Sequence, residues 1–196
     1  MALSGIPWWT TDIGGFHGGD PPSEEFRELM IRWFQYATFC PLLRMHGHRE
    51  PHHGHGAGHS GGSNEMWSYG DEAYAVMRSY LDLRTRLTPY LLEQMDDASA
   101  TGIPPMRPLF LEFPADPTAW EVDDQFLLGP DVLVAPVTQF GARERRVYLP
   151  AGAEWTDVGT GRRYAGGDHV DVAAPLDRIP VLVRDDAQLP LKTEVQ

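Results

Sequence analysis

Apolar residues recur at helical spacing twice within the first hundred positions. Phe26, Leu29, Met30, Trp33, Phe34 and Ala37 fall on one face behind Ser23, a capping residue type, while Glu24 and Glu25 suit the positive helix start. The pattern predicts an amphipathic helix ending near Pro41. A longer helix is predicted from Ser68-Tyr69-Gly70-Asp71, which has capping-box spacing, through Ala73, Tyr74, Met77, Tyr80, Leu81 and Leu83 towards Gly102, with a bend at Pro89 where a hydrogen bond is lost. A short apolar run precedes each helix: Ile6 to Thr11, then Leu42 to Met45. Both read as buried strands, and each delivers a polar loop at its carboxyl end, Asp12 to Pro22 in the first case and His46 to about Met66 in the second.

Beyond Gly102 the periodicity changes. Leu109 to Phe113, Phe126 to Leu128, Val132 to Val137, Arg146 to Leu149 and Val181 to Val183 are short β-type runs separated by Pro, Gly and Asp turns, and Trp155 to Tyr164 reads as a hairpin around Gly159 to Gly161. The expected fold is therefore α/β followed by all-β: the terminal strands and helices of a (β/α)8 barrel over residues 1–104, then an antiparallel β-sandwich domain over 105–196. Two βα units cannot close an eight-stranded barrel, so the chain reads as the later part of one. Trp8, Trp9, Trp33 and Phe34 are accordingly expected to form an exposed, adhesive surface.

Charge narrows the partners. A formal net charge of −12, with the basic residues scattered, disfavours nucleic acid, and no apolar run approaches the roughly 20 residues that span a bilayer. The N-terminal residues lack the basic and apolar regions of a signal peptide, and the single cysteine, Cys40, excludes internal disulfides and sits in an apolar helical pattern as an inert thiol, so a cytoplasmic location is expected. A neutral substrate suits this chain better than a polyanion.

Among polar residues, Asp12 stands at a strand end beside Gly14 and Gly15, where a carboxylate can accept charge-assisted hydrogen bonds from sugar hydroxyls while the glycines let the backbone come close. The plainer reading is a carboxylate bracing its own loop. His46, alone, would be unremarkable; after a strand and next to Gly47 it becomes a reasonable hydroxyl partner. Arg44 can touch the ligand or pair with Asp12 and orient it. Acid/base chemistry at a scissile bond needs a second carboxyl group, and this reading finds only one good position, Asp12.

The segments Trp8-Trp9-Thr10-Thr11-Asp12-Ile13-Gly14-Gly15-Phe16, Arg32-Trp33-Phe34-Gln35-Tyr36 and Phe39-Cys40-Pro41 with Arg44-Met45-His46-Gly47 resemble, in order and spacing, glycoside hydrolase family thirty-one, the α-glucosidases and α-xylosidases. The likeness continues through Leu87-Thr88-Pro89-Tyr90-Leu91, Met106-Arg107-Pro108-Leu109, Asp124 to Pro130 and Leu133 to Val137, nearly the whole chain. It implies part of a retaining α-glycosidase acting on terminal non-reducing α-linked xylose or glucose, with no cofactor. It also implies a nucleophile and an acid/base upstream of Asp12, so that none of the catalytic carboxylates is in this chain. The sugar-contacting set carries over as Asp12, Phe16, Arg44 and His46, with Trp9 matched more loosely. The tract from Phe39 to Gly47 leans towards the xylosidases.

His46, His48, His52, His53, His55 and His59 crowd a glycine-rich stretch that invites a metal reading. It lacks cysteine and any i, i+4 helical frame, so it is read as a loop bordering the pocket, with no metal site. A non-catalytic carbohydrate-binding or structural β-sandwich module is the alternative function; it would not need the barrel-type front. The oligomeric state is left open.

Overall fold

The computed structural model describes residues 1–53, 60–185, 187 and 189–191. Helix α1 (Glu24–Thr38) starts where expected: the Ser23 hydroxyl accepts from the Phe26 N–H at 3.4 Å. Met30, Ile31, Phe34 and Ala37 on its inner face pack against Ala73, Val76, Met77, Tyr80, Leu83 and Leu87 of helix α2 (Asp71–Thr101). Helix α2 runs past Pro89 and closes at Gly102, whose left-handed backbone (φ 80°) lets its N–H reach Ala98 O at 2.9 Å. Ser68 does not cap it. That serine lies in a preceding 3₁₀ turn and donates to Glu65, and Gly70 occupies the cap position.

The two strands expected at the front are not formed. Strands of a parallel sheet are held by neighbours on both sides, and here the two segments have only each other. Their spacing is nevertheless that of a parallel pair. Leu42 N–H donates to Trp9 O at 3.3 Å and Ile13 N–H to Arg44 O at 3.2 Å, the first and last of four alternating rungs; the two between are absent. The Thr10 hydroxyl sits within reach of Thr11 O and Leu42 O, the acceptors those inner rungs would use.

After the second segment comes a hairpin where a plain loop was expected: β1 (Arg49–His53) pairs antiparallel with β2 (Ser60–Gly62). His55 and His59 lie outside the described residues. Strands β3 (Met106–Arg107), β4 (Phe126–Leu128), β5 (Val132–Val134), β7 (Glu154–Asp157), β8 (Arg163–Ala165) and β10 (Val181–Arg184) form one antiparallel sheet in the order β3-β4-β5-β10-β7-β8. The hairpin expected around Gly159 to Gly161 is the β7–β8 pair. Strands β6 (Glu144–Leu149) and β9 (Asp168–Ala173) pair separately over their full length. Leu109 to Phe113, expected as a strand, is instead the short helix α3 (Leu109–Glu112), because a brief apolar run carries no period that separates the two.

The alternation in the central strands explains the layering. Phe126, Leu128, Val132, Val134, Val181 and Val183 face α1 and α2, whereas Leu127, Leu133 and Leu182 face Val147, Leu149 and Val172 of the two-stranded sheet and the fully buried Trp155. The larger sheet is thus covered on both sides. Phe34, expected on the adhesive surface, is buried at 2% exposure in the helix–sheet core; Trp33 and Trp9 are half-buried, and Trp8 is exposed.

Arg32 joins helix to sheet. Its buried guanidinium donates to the carbonyls of Pro175 (3.0 Å), Arg178 (2.9 Å), Ala142 (3.0 Å) and Ala174 (2.9 Å), and beside it Glu28 pairs with Arg143 at 2.6 Å. On α2, Arg84 donates to the carbonyls of Thr38, Cys40 and Pro41, closing the end of α1. In urea, Arg32→Met should lose about 3 kcal/mol, since buried carbonyls are left without donors; a loss under about 1 kcal/mol would show that the seam does not depend on it.

Two carboxyls set the acid limit. Burial pushes the Glu28 and Asp116 carboxyls up, but both end below the ordinary value: Glu28 through the hydrogen bond and charge of Arg143 and the charge of Arg32, Asp116 through the Ala151 N–H, the Tyr148 hydroxyl and the Thr118 N–H. A lowered folded-state pKa contributes stability that is fully present above the unfolded value, about 4, and is lost as pH falls through the folded value. Asp116→Asn should therefore flatten the fall of the urea midpoint between about pH 6 and about pH 2; an unchanged slope would remove Asp116 from that account.

Candidate functional site

The sequence places Asp12 and His46 thirty-odd residues apart, and the pair of aligned segments brings their loops together. Beyond the rung from Ile13 to Arg44, the His48 N–H donates to Phe16 O at 3.1 Å, so residues 12–16 and 44–48 run as a stitched double loop. Gly47 makes this closeness possible: it adopts φ 109°, and a Cβ there would lie 2.1 Å from Phe16 O.

On this double loop, Arg44 Nε and Nη2 both approach Asp12 Oδ1 at 3.1 Å. The arginine is half exposed, so the pair is a surface ion pair of small stabilising value that still orients the carboxylate. The ring of Phe16 is 44% exposed and packs against His46 with centroids 5.1 Å apart. His46 is exposed beside this aromatic face, with no hydrogen-bond partner among the described residues. Four of the five expected residues are thereby brought together. Trp9 is not among them: its main chain takes part in the ladder, while its indole N–H is buried without a partner among the described residues.

Two features escaped the sequence. His17 joins the cluster, with Nδ1 3.4 Å from His48 Nε2 and its ring edge-on to Phe16 at 4.4 Å. The histidine-rich stretch is thus divided: His46 and His48 stand with Phe16, whereas His52 and His53 lie on β1. Among the described residues, no group of three or more His, Cys, Asp or Glu side chains could hold a metal ion. The second feature is Arg49, fully buried beneath the loop and bonded to its carbonyls. A lone arginine in a polar tract carries no sequence signal for burial.

A cavity of about 780 Å³ between α1 and the large sheet is floored by Phe26, Leu29, Trp33, Tyr36 and Phe126 and is lined by none of Asp12, Phe16, Arg44 or His46. Those four residues lie on an open face instead. Cys40 is fully buried, and burial pushes its thiol up to about 12, against a smaller opposing pull from its hydrogen bond to Tyr36 and from Arg84. It holds no nucleophile at neutral pH.

Comparison with known proteins defines the family. Residues 1–94 match the TIM-barrel domain of glycosyl hydrolases family 31, and residues 102–188 match the glycosyl hydrolase family 31 C-terminal domain. The chain belongs to glycosyl hydrolase family 31. An alpha-xylosidase of Saccharolobus solfataricus is 40% identical over 97% of this chain and 24% of its own length, and a probable glucan 1,3-alpha-glucosidase of Arabidopsis thaliana is 33% identical over 98% and 19%. A crystal structure of a GH31 alpha-xylosidase from a soil metagenome, complexed with xylose, superposes with a TM-score of 0.91 at 50% identity, covering 95% of this chain and 29% of that one. The chain therefore spans about a quarter or less of the curated relatives cited. Among the described residues, no helix is long and apolar enough to cross a membrane.

The thiol supplies the prediction here. At pH 8 the native chain should react with a thiol-directed disulfide reagent roughly a hundredfold more slowly than the urea-unfolded chain; equal rates would place Cys40 at the surface.

Proposed function

We propose that this chain forms part of a retaining α-glycosidase that removes terminal non-reducing α-linked xylose, with glucose the second reading, and that its share of the work is to hold the non-reducing sugar. The supporting observation is the Asp12–Arg44 pair beside the exposed Phe16 ring and His46 on one double loop. An ionised carboxylate held by a guanidinium accepts hydrogen bonds from sugar hydroxyls, the arginine and imidazole donate to others, and the aromatic face takes the apolar C–H surface. Xylose is preferred because the xylose-bound relative carries the greater identity of those cited, 50%.

The two loops follow segments in the register of adjacent barrel strands, and we assign residues 1–104 to the end of a (β/α)8 barrel and 105–196 to its β-sandwich domain. Active sites of such barrels lie on the loops at the carboxyl ends of strands, where Asp12 and His46 stand. Retention requires a nucleophile and an acid/base about 5 to 5.5 Å apart across the scissile bond. Asp12, engaged by Arg44, is assigned to binding, and the family likeness supports drawing both catalytic carboxyls from outside this chain. Trp9 is left a structural part. The hairpin β1–β2 borders the sugar at its open side, no cofactor takes part, and the buried single cysteine fits the cytoplasm.

The test uses the chain with p-nitrophenyl α-D-xyloside and α-D-glucoside and, in parallel, saturation-transfer NMR with xylose and glucose. The expected outcome is xylose binding that Asp12→Ala weakens by roughly tenfold or more, without turnover. Turnover abolished by Asp12→Ala would make Asp12 a catalytic carboxylate and overturn this division of labour.

A further inference from the structure

Arg49 has 0% exposure, and its partners among the described residues are neutral oxygens. A guanidinium has five N–H donors and does not lose its charge, so burial without a carboxylate requires fixed dipoles in place of water. Four of the six come from one stretch. Nη2 donates to Ile13 O at 3.0 Å, and Nη1 to Gly14 O, Gly15 O and Gly18 O at 3.1, 2.9 and 3.3 Å. Nε is shared between Tyr69 Oη at 2.9 Å and Asn64 Oδ1 at 3.1 Å, and the ring of Phe26 lies 5.3 Å from Cζ.

A chain that turns four carbonyls towards one centre is wrapped around a cation. It does so through left-handed backbone at Gly14, Gly15 and Gly18, with φ of 83°, 72° and 69°. The fit leaves no slack: a Cβ on Gly14 would lie 2.5 Å from Nη2 and 2.2 Å from Met30 Sδ. Asp12 enters this loop and Phe16 sits within it, so the position of both side chains is set by a group that neither of them touches.

We propose that Arg49 is a positioning residue for sugar binding, acting through the carbonyls of Ile13 to Gly18 to fix Asp12 and Phe16. The proposal rests on the reading of those two residues as sugar contacts. Because Arg49 is also the first residue of β1, it ties the hairpin and the binding loop into one unit, with Tyr69 and Asn64 anchoring that unit to the start of α2. The planar fork is essential. A lysine keeps the charge, but its three donors on one nitrogen cannot span acceptors on opposite sides of the cage.

The test compares wild type, Arg49→Lys, Tyr69→Phe and Gly14→Ala by amide hydrogen exchange, reading residues 12–19 against the buried stretch of α2, and by xylose titration. Arg49→Lys should speed loop exchange by roughly tenfold or more while α2 stays unchanged, and should weaken xylose binding by roughly tenfold to a hundredfold. Tyr69→Phe should shift both in the same direction by less. Gly14→Ala, which crowds the guanidinium from the loop side, should reproduce Arg49→Lys and add little to it in the double variant.

Loop exchange unaltered in Arg49→Lys, exchange rising equally in α2, or a loosened loop with undiminished xylose affinity would each overturn the proposal. Should Arg49→Lys fail to fold, Tyr69→Phe carries the same comparison. If wild type and Asp12→Ala alike bind no xylose, the sugar reading falls, and with it the part of the proposal that concerns sugar; the exchange comparison then decides separately whether Arg49 holds the loop.

Discussion

A buried guanidinium must satisfy five N–H groups, and in this chain main-chain carbonyls do most of that work at three places. Arg49 gathers the loop after Asp12, Arg32 gathers the turns around Ala142 and Ala174 to Arg178, and Arg84 gathers the end of α1. Such carbonyls have no ladder partner, and each would be costly to bury alone. One flat, permanently charged fork can serve several of them at once over a span that a lysine or an amide does not cover. The irregular segments that join helices to sheet are held this way, and the candidate site is built on one of them.

The distribution of order follows from this. The helix–sheet core is apolar and self-sufficient: α1 and α2 lie over one face of the six-stranded sheet, and the two-stranded sheet covers the other. The front segments are different. Residues 9–13 and 42–44 keep the spacing of parallel strands with only their outer rungs formed, so the loops they carry depend on side-chain anchors more than on a ladder. That places the polar residues of the candidate site on backbone bonded to Arg49 and closely packed at Gly47, and leaves Phe16, Arg44 and His46 exposed and Asp12 partly so.

The helices were legible because their period was long: Phe26, Met30, Trp33, Phe34 and Ala37 recur at helical spacing for several turns, and Ser23 marks the start. The central β runs were legible because Val132 to Val134 and Val181 to Val183 are too short and too β-branched for a helix. Leu109 to Glu112 was misread because four apolar residues carry no period. Ser68 was misread as a cap because capping-box spacing says nothing of a preceding 3₁₀ turn. The front segments keep the register of strands without forming them, because a strand's sequence does not supply its neighbours.

By itself the sequence determined the chemistry available: one carboxylate beside a Gly-Gly pair, an Arg-Met-His-Gly tract thirty residues on, and a family likeness across nearly the whole length. These depend on local residue types and spacing, which a one-dimensional string carries. Only the tertiary structure decided that Asp12 pairs with Arg44, that His17 joins Phe16 and His48 while Trp9 stays apart, and that Arg49 lies beneath the loop as its anchor. Those outcomes turn on which distant backbone carbonyls converge on one point, and convergence in space has no period or motif in the sequence that produces it.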